Sequence, residues 1–167
     1  HTRCLSDWSS DVCSSDLGSA AALGGSVVGG ILNAGPQNGS DTTPRASITT
    51  TGSSPALTIA PSVSGDLGAI TIGTIADVNN PNNSFINRGN VTATGTEPTI
   101  STTGIQIGNT GTTTTNYSTI FLNGLYNSGV IAATATSDNG NATLVTPQAT
   151  NAVGIIVGLN KIGRAHV

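Results

Sequence analysis

The sequence is poor in the residue types that enzymes most often use for catalysis. Between Gly18 and Asn160 it has no Cys, His, Trp, Lys or Met. Only 8% of the 167 residues are charged and 3% are aromatic, whereas ordinary globular proteins contain about 25% charged residues. The five basic residues are too few and too scattered to neutralise a run of phosphates, so we expect no nucleic-acid partner. No apolar run approaches the roughly 20 residues of a membrane-spanning helix.

Gly, Thr, Asn, Ser and Ala make up most of the chain between Gly18 and Asn160. The net charge is −3 and the mean hydropathy is +0.08, values that do not indicate disorder caused by charge repulsion. This composition is typical of a β-protein built from stacked turns.

The two ends of the chain can be encoded by complementary strands of the same DNA sequence. Residues 11–17 can be written as GAC GTG TGC TCT TCC GAT CTT, and the reverse complement of that string encodes residues 161–167. The string resembles an adapter used in short-read DNA sequencing. We therefore expect residues 1–17 and 161–167 to be adapter-derived tails, not native protein, and residues 18–160 to be a repeat segment of a longer reading frame.

This expectation removes the one arrangement that suggests a disulfide or a metal site. Its members all lie in the adapter-like ends: His1, Cys4, Cys13 and His166. We expect no metal and no cofactor in this protein.

Two short units alternate between the ends. In the first unit, two or three apolar residues precede an Asn-x-Gly turn and a small or apolar alternation follows it. It occurs at residues 30–35, 84–93 and 124–133. The second unit is an apolar-x-apolar strand between glycines, at residues 68–73, 104–108 and 154–158. Neighbouring units are mostly about 15 to 35 residues apart, which covers one or two turns of a solenoid.

Each unit has a simple physical interpretation. Apolar residues at i and i+2 face one side of a strand, and Asn and Gly suit a tight turn because both tolerate a positive φ. Strands this short cannot bury a face alone, but stacked copies share a continuous core. Asn33, Asn87 and Asn127 are then in position to form a stacked amide ladder. The Thr-x-Thr pairs follow their turns at different offsets, so we expect no threonine rows in register.

The units thus predict an all-β solenoid of parallel strands over residues 18–160. We expect about six or seven rungs, roughly 30 Å in length at about 4.8 Å per rung. The residues expected to point inward are Ile70, Ile72, Ile105, Ile107, Ile155 and Val157. An antiparallel sandwich is the competing architecture, but it needs longer alternating strands at a shorter spacing.

The recurrence of these units resembles the passenger domains of autotransporters, which are surface proteins of Gram-negative bacteria. The segments that carry the resemblance are 85–93 and 125–133, which alternate with 103–108, together with 55–61 and 65–73. The resemblance covers most of residues 18–160 and implies a right-handed parallel β-helix.

It also implies export across both membranes and exposure at the cell surface, with anchorage through an outer-membrane barrel that lies outside these residues. The implied role is structural or adhesive. The partners would be neighbouring rungs of the native chain and an unknown surface ligand or receptor.

The acidic residues of the repeat segment do not form a pattern that predicts catalysis. There are five: Asp41, Asp66, Asp77, Glu97 and Asp138, and no two are closer than 11 positions. Glycoside hydrolysis needs two carboxylates a few ångströms apart, so we interpret these as solvated loop residues. We expect no catalytic, cofactor-binding or metal-binding residue and no enzyme activity. A β-helical carbohydrate-active enzyme and a phage tail-fibre protein remain as alternatives.

Overall fold

In the part of the chain that the structure, a computed structural model, describes, every regular element is a β-strand. The structure describes residues 18–61, 69–77, 82–96, 100–109, 118–136 and 151–158. These residues contain twelve strands: β1 Ala21–Leu23, β2 Ile31–Asn33, β3 Ser47–Thr51, β4 Leu57–Ile59, β5 Ile70–Ile72, β6 Phe85–Asn87, β7 Asn90–Thr94, β8 Thr102–Ile107, β9 Thr119–Phe121, β10 Leu125–Asn127, β11 Val130–Thr134 and β12 Ala152–Val157. The adapter-like ends, 1–17 and 161–167, lie outside the described residues.

The strands form four sheets in which all neighbours are parallel. We call them the long sheet (β1-β4-β8-β12), the ladder sheet (β2-β6-β10), the threonine sheet (β3-β7-β11) and the short sheet (β5-β9). In the described part of the chain, the one antiparallel contact is an isolated bridge between Ile75 and Asn83. The predicted all-β, solenoid-like stack of parallel strands is therefore confirmed, and these residues contain no antiparallel sandwich.

The number of levels is smaller than the sequence predicted. The chain visits the sheets in a fixed order, so that β1, β2 and β3 form a first level, β4 to β7 a second, β8 to β11 a third, and β12 begins a fourth. Equivalent asparagines are 54 and 40 residues apart, because each level includes strands on several sides and the loops between them. The prediction of six or seven rungs is therefore wrong for the described residues. The long sheet spans roughly 14 Å from its first strand to its last, at about 4.8 Å per step.

The core lies where the inward side chains of the four sheets meet. Ile70, Ile72, Ile105 and Ile107 are buried there, as predicted. Ile155 and Val157, on β12, are 40% and 50% exposed, which corrects the prediction for that strand. The physical reason is position, since no described strand stacks on the far side of β12.

The second repeat unit occupies two different sides of the stack. Strands β8 and β12 pair in register, with Ile105 opposite Ile155. The similar strand Ile70–Ile72 instead pairs with Thr119–Phe121 in the short sheet. The long-sheet neighbour of β8 at the second level is β4, which places Leu57 opposite Ile105. The apolar-x-apolar pattern therefore predicts a strand and its inward face but not the sheet that it joins.

In the threonine sheet the Thr-x-Thr pairs are out of register as predicted, since Thr92 lies opposite Ala132, but the expectation of no threonine row is wrong. Thr94 pairs directly with Thr51 on one side and with Thr134 on the other, so these three residues form a row in register. In a second row, the hydroxyl oxygens of Thr49 and Thr92 lie 2.9 Å apart and share a hydrogen bond. The loop between β2 and β3 shifts the sequence offset at the first level without shifting the strand register.

Candidate functional site

The three Asn-x-Gly turns stack directly on one another at the end of the ladder sheet. The Nδ2 atom of Asn33 donates to Oδ1 of Asn87 over 2.7 Å, and Nδ2 of Asn87 donates to Oδ1 of Asn127 over 2.7 Å. Each Nδ2 also reaches a backbone carbonyl of the level above, Asn90 O at 3.4 Å and Val130 O at 3.3 Å respectively. The predicted amide ladder is confirmed.

The backbone of the turns repeats the same connection. The carbonyl of Asn33 accepts hydrogen bonds from the N–H groups of Arg88 (2.9 Å) and Gly89 (3.2 Å). The carbonyl of Asn87 accepts equivalent bonds from Ser128 (2.8 Å) and Gly129 (3.0 Å). The Asn87 side chain and the turn N–H groups of Arg88 and Gly89 are thereby paired with the level below or above, which offsets the cost of burying these polar groups.

The glycine of each turn is required for close approach and not for a special backbone conformation. None of Gly35, Gly89 and Gly129 has a positive φ, contrary to the reason given by the sequence pattern. A Cβ atom on Gly89 would lie 2.3 Å from the carbonyl oxygen of Ala46, and one on Gly129 would lie 2.0 Å from the carbonyl oxygen of Gly89. Only glycine lets the turns stack at this spacing.

We therefore expect Gly89→Ala to lower the free energy of unfolding by about 1–3 kcal/mol, since the added methyl group must displace a neighbouring backbone. The matched control is Gly39→Ala, because a Cβ at Gly39 meets no atom within 4 Å. Urea denaturation followed by circular dichroism measures both. Equal midpoints for the two variants would show that the close approach does not restrict residue 89.

We also expect Asn87→Leu to destabilise the stack by about 1–3 kcal/mol, because it removes both ladder bonds, the one from Nδ2 of Asn33 and the one to Oδ1 of Asn127. Asn127→Leu breaks only one ladder bond and should cost less. The same urea titration ranks the two variants, and a larger loss for Asn127→Leu would contradict the ladder as the source of stability.

A buried ion pair lies beside the ladder, and the sequence did not reveal it. Nη2 of Arg88, the middle residue of the second turn, lies 2.6 Å from Oδ2 of Asp77, and the two side chains are only 3% and 7% exposed. Nη1 of Arg45 donates to the carbonyl of Arg88. The expectation that Asp77 is a solvated loop residue is therefore wrong. Ala and Ser occupy the same position in the other two turns, so the repeat pattern gives no reason to expect a buried ion pair at this one.

Asp41 is held by its own loop. Its Oδ1 accepts hydrogen bonds from the N–H (2.9 Å) and the hydroxyl (2.6 Å) of Thr43, and its Oδ2 accepts one from the N–H of Gln37 (2.6 Å). The Thr43 hydroxyl, followed by these backbone N–H groups, lowers the pKa of the Asp41 carboxyl below its usual value. The folded loop therefore favours the ionised form, and that preference is lost as the pH falls through the lowered pKa.

Two of the five acidic residues of the repeat segment, Asp41 and Asp77, lie in the described ranges. Asp41 and Asp77 make the separate contacts described above. The other three acidic residues, Asp66, Glu97 and Asp138, lie outside the described residues, as do His1, Cys4, Cys13 and His166. Within the described ranges, no three His, Cys, Asp or Glu residues are grouped so that they could hold a metal ion.

Among the described residues there is no helix that could span a membrane. Comparison with protein families, with curated proteins and with solved structures found no match to this chain.

Proposed function

We propose that residues 18–160 form a right-handed parallel β-helix that serves as a structural or adhesive, surface-exposed segment of an autotransporter passenger domain, without catalytic activity. One observation carries the proposal. The three Asn-x-Gly units on which the resemblance depends stack in register and are joined by a continuous amide ladder.

This geometry suits a stalk. In a solenoid each level contacts only its neighbours, so that a stack can extend in one direction without changing its cross-section. In the described loop between β2 and β3, most of residues 37–45 are exposed. In this proposal the strands supply the rigid stalk, and the loops supply the surface that meets a ligand or a receptor at the cell surface.

The alternative is a β-helical carbohydrate-active enzyme or a phage tail-fibre segment. The contacts of the two described acidic residues favour the structural role. The Asp77 carboxylate forms an ion pair with Arg88, and the Asp41 carboxylate accepts hydrogen bonds from Gln37 and Thr43. Incubation of the chain with a panel of polysaccharides should release no reducing ends. Release that is lost on replacement of one of the five acidic residues would support the enzyme instead.

The direct test is to recover the native gene and to read it beyond both adapter-like ends. We expect an export signal upstream and a membrane-anchoring domain near the C-terminus, recognisable by roughly 10-residue segments that alternate apolar and polar residues. A downstream carbohydrate-cleaving domain, or a complete gene without an export signal, would contradict the passenger proposal.

A further inference from the structure

We define the upper edge of the stack as the outer edges of β10 and β11. Apolar side chains at this edge are more exposed than their register partners one level below. Leu125 is 36% exposed, whereas Phe85, its register partner, is fully buried. Ile131 is half-buried, and its partner Val91 is fully buried. Among the described residues, no strand pairs with this edge.

The hydrogen-bonding groups at the same edge are also open. Oδ1 of Asn127 accepts from Asn87, but Nδ2 of Asn127 has no partner among the described residues. The carbonyl of Asn127 likewise accepts no hydrogen bond there, whereas those of Asn33 and Asn87 each accept two. The edge therefore offers one donor and one acceptor in the geometry that already joins the lower levels.

We propose that the upper edge binds an extended segment of the Asn-x-Gly type in parallel register. The segment has an apolar residue two positions before its asparagine and a glycine two positions after it. Its apolar side chain covers Leu125, and its asparagine Oδ1 accepts from Nδ2 of Asn127. Its glycine packs against Gly129, as Gly129 packs against Gly89. The proposal follows from the edge itself and does not depend on the passenger function.

The upper edge is favoured over the lower one as the binding site because its ladder asparagine is more exposed. Asn127 is exposed, but Asn33, at the bottom of the ladder, is only 5% exposed. A second copy of the whole chain is not favoured. The long sheet has four strands and the ladder sheet three, so a copy that placed its β2 on β10 would place its β1 where β12 already lies.

The probe is a fluorescent synthetic peptide with the sequence of residues 84–94, which inside the molecule already stacks in this way on β2 and β3, with Oδ1 of Asn87 accepting from Nδ2 of Asn33. Titration with the full 167-residue chain, followed by fluorescence anisotropy, should saturate. Hydrogen exchange should show new protection in residues 124–134 and not in residues 31–51. The peptide that carries Asn87→Leu should bind at least tenfold more weakly.

Two protein variants complete the test. Leu125→Lys should weaken binding at least tenfold while it keeps the circular dichroism spectrum of the parent chain. Val28→Lys, at a residue that is 96% exposed elsewhere, should bind like the parent. Three results would overturn the proposal: no saturation, equal binding of a scrambled peptide, or protection confined to residues 31–51. Self-association of the chain that the peptide cannot reverse would identify a second copy as the occupant instead.

Discussion

A chain that carries Ile107→Asp should lose the cooperative unfolding transition of the parent. Ile107 lies in the long sheet between Ile59 and Val157, and only 5% of it is exposed. The substitution places a carboxylate in a narrow apolar core, where no described basic side chain is available to pair with it. Burial of an unpaired charge costs several kcal/mol, which is comparable with the whole stability of a small domain, about 5–15 kcal/mol.

The matched control is Val28→Asp, which introduces the same side chain at a residue that is 96% exposed. We expect this variant to keep the sheet signal in the circular dichroism spectrum and to unfold at the temperature of the parent chain. If both variants lost the sheet signal equally, or if Ile107→Asp unfolded like the parent, the assignment of Ile107 to a tightly packed core would be wrong.

The sequence predicted the parts of the fold that depend on local pattern. Apolar residues at i and i+2 identified the inward faces of β5 and β8, and the recurrence of Asn-x-Gly identified the column of turns and its ladder. Both patterns depend on strand pleat and on side-chain chemistry, which are local properties.

The number of levels could not be predicted in the same way, because it depends on how many sides each level has. The strands Ile70–Ile72 and Ile105–Ile107 look alike, yet they belong to different sheets. If the two strands are counted as equivalent positions of successive levels, each level is assigned too few residues and the predicted number of levels is too large. The exposure of Ile155 depends on what stacks beyond it, which its own sequence does not specify.

The role of the turn glycines shows a second limit. Glycine in an Asn-x-Gly sequence indicates a positive φ, but Gly35, Gly89 and Gly129 are required because a carbonyl from a neighbouring part of the stack lies against each Cα. That contact joins residues far apart in the chain. The same holds for the pairing of Asp77 with Arg88, whose partners are 11 residues apart with a strand between them.

Removal of one partner of that ion pair should be among the most destabilising single changes in this protein. Arg88→Met keeps the length and the apolar stem of the side chain but leaves the buried Asp77 carboxylate without its guanidinium. Such a change typically costs about 3–5 kcal/mol. We expect a loss of this size in urea denaturation, together with faster hydrogen exchange at the Asn87–Gly89 turn, since the Arg88 side chain ties this turn to Asp77.

The double variant Asp77→Leu/Arg88→Met distinguishes the ion pair from simple loss of packing. With both charges removed, no buried charge is left uncompensated, and replacement of a buried pair by apolar residues is often neutral or stabilising. The double variant should therefore be more stable than Arg88→Met alone. Asp41→Asn, at the other described acidic residue, should change stability little, because its partners belong to its own exposed loop. A double variant as unstable as the single one would instead assign the loss to the packing of the buried Arg88 side chain and not to its charge.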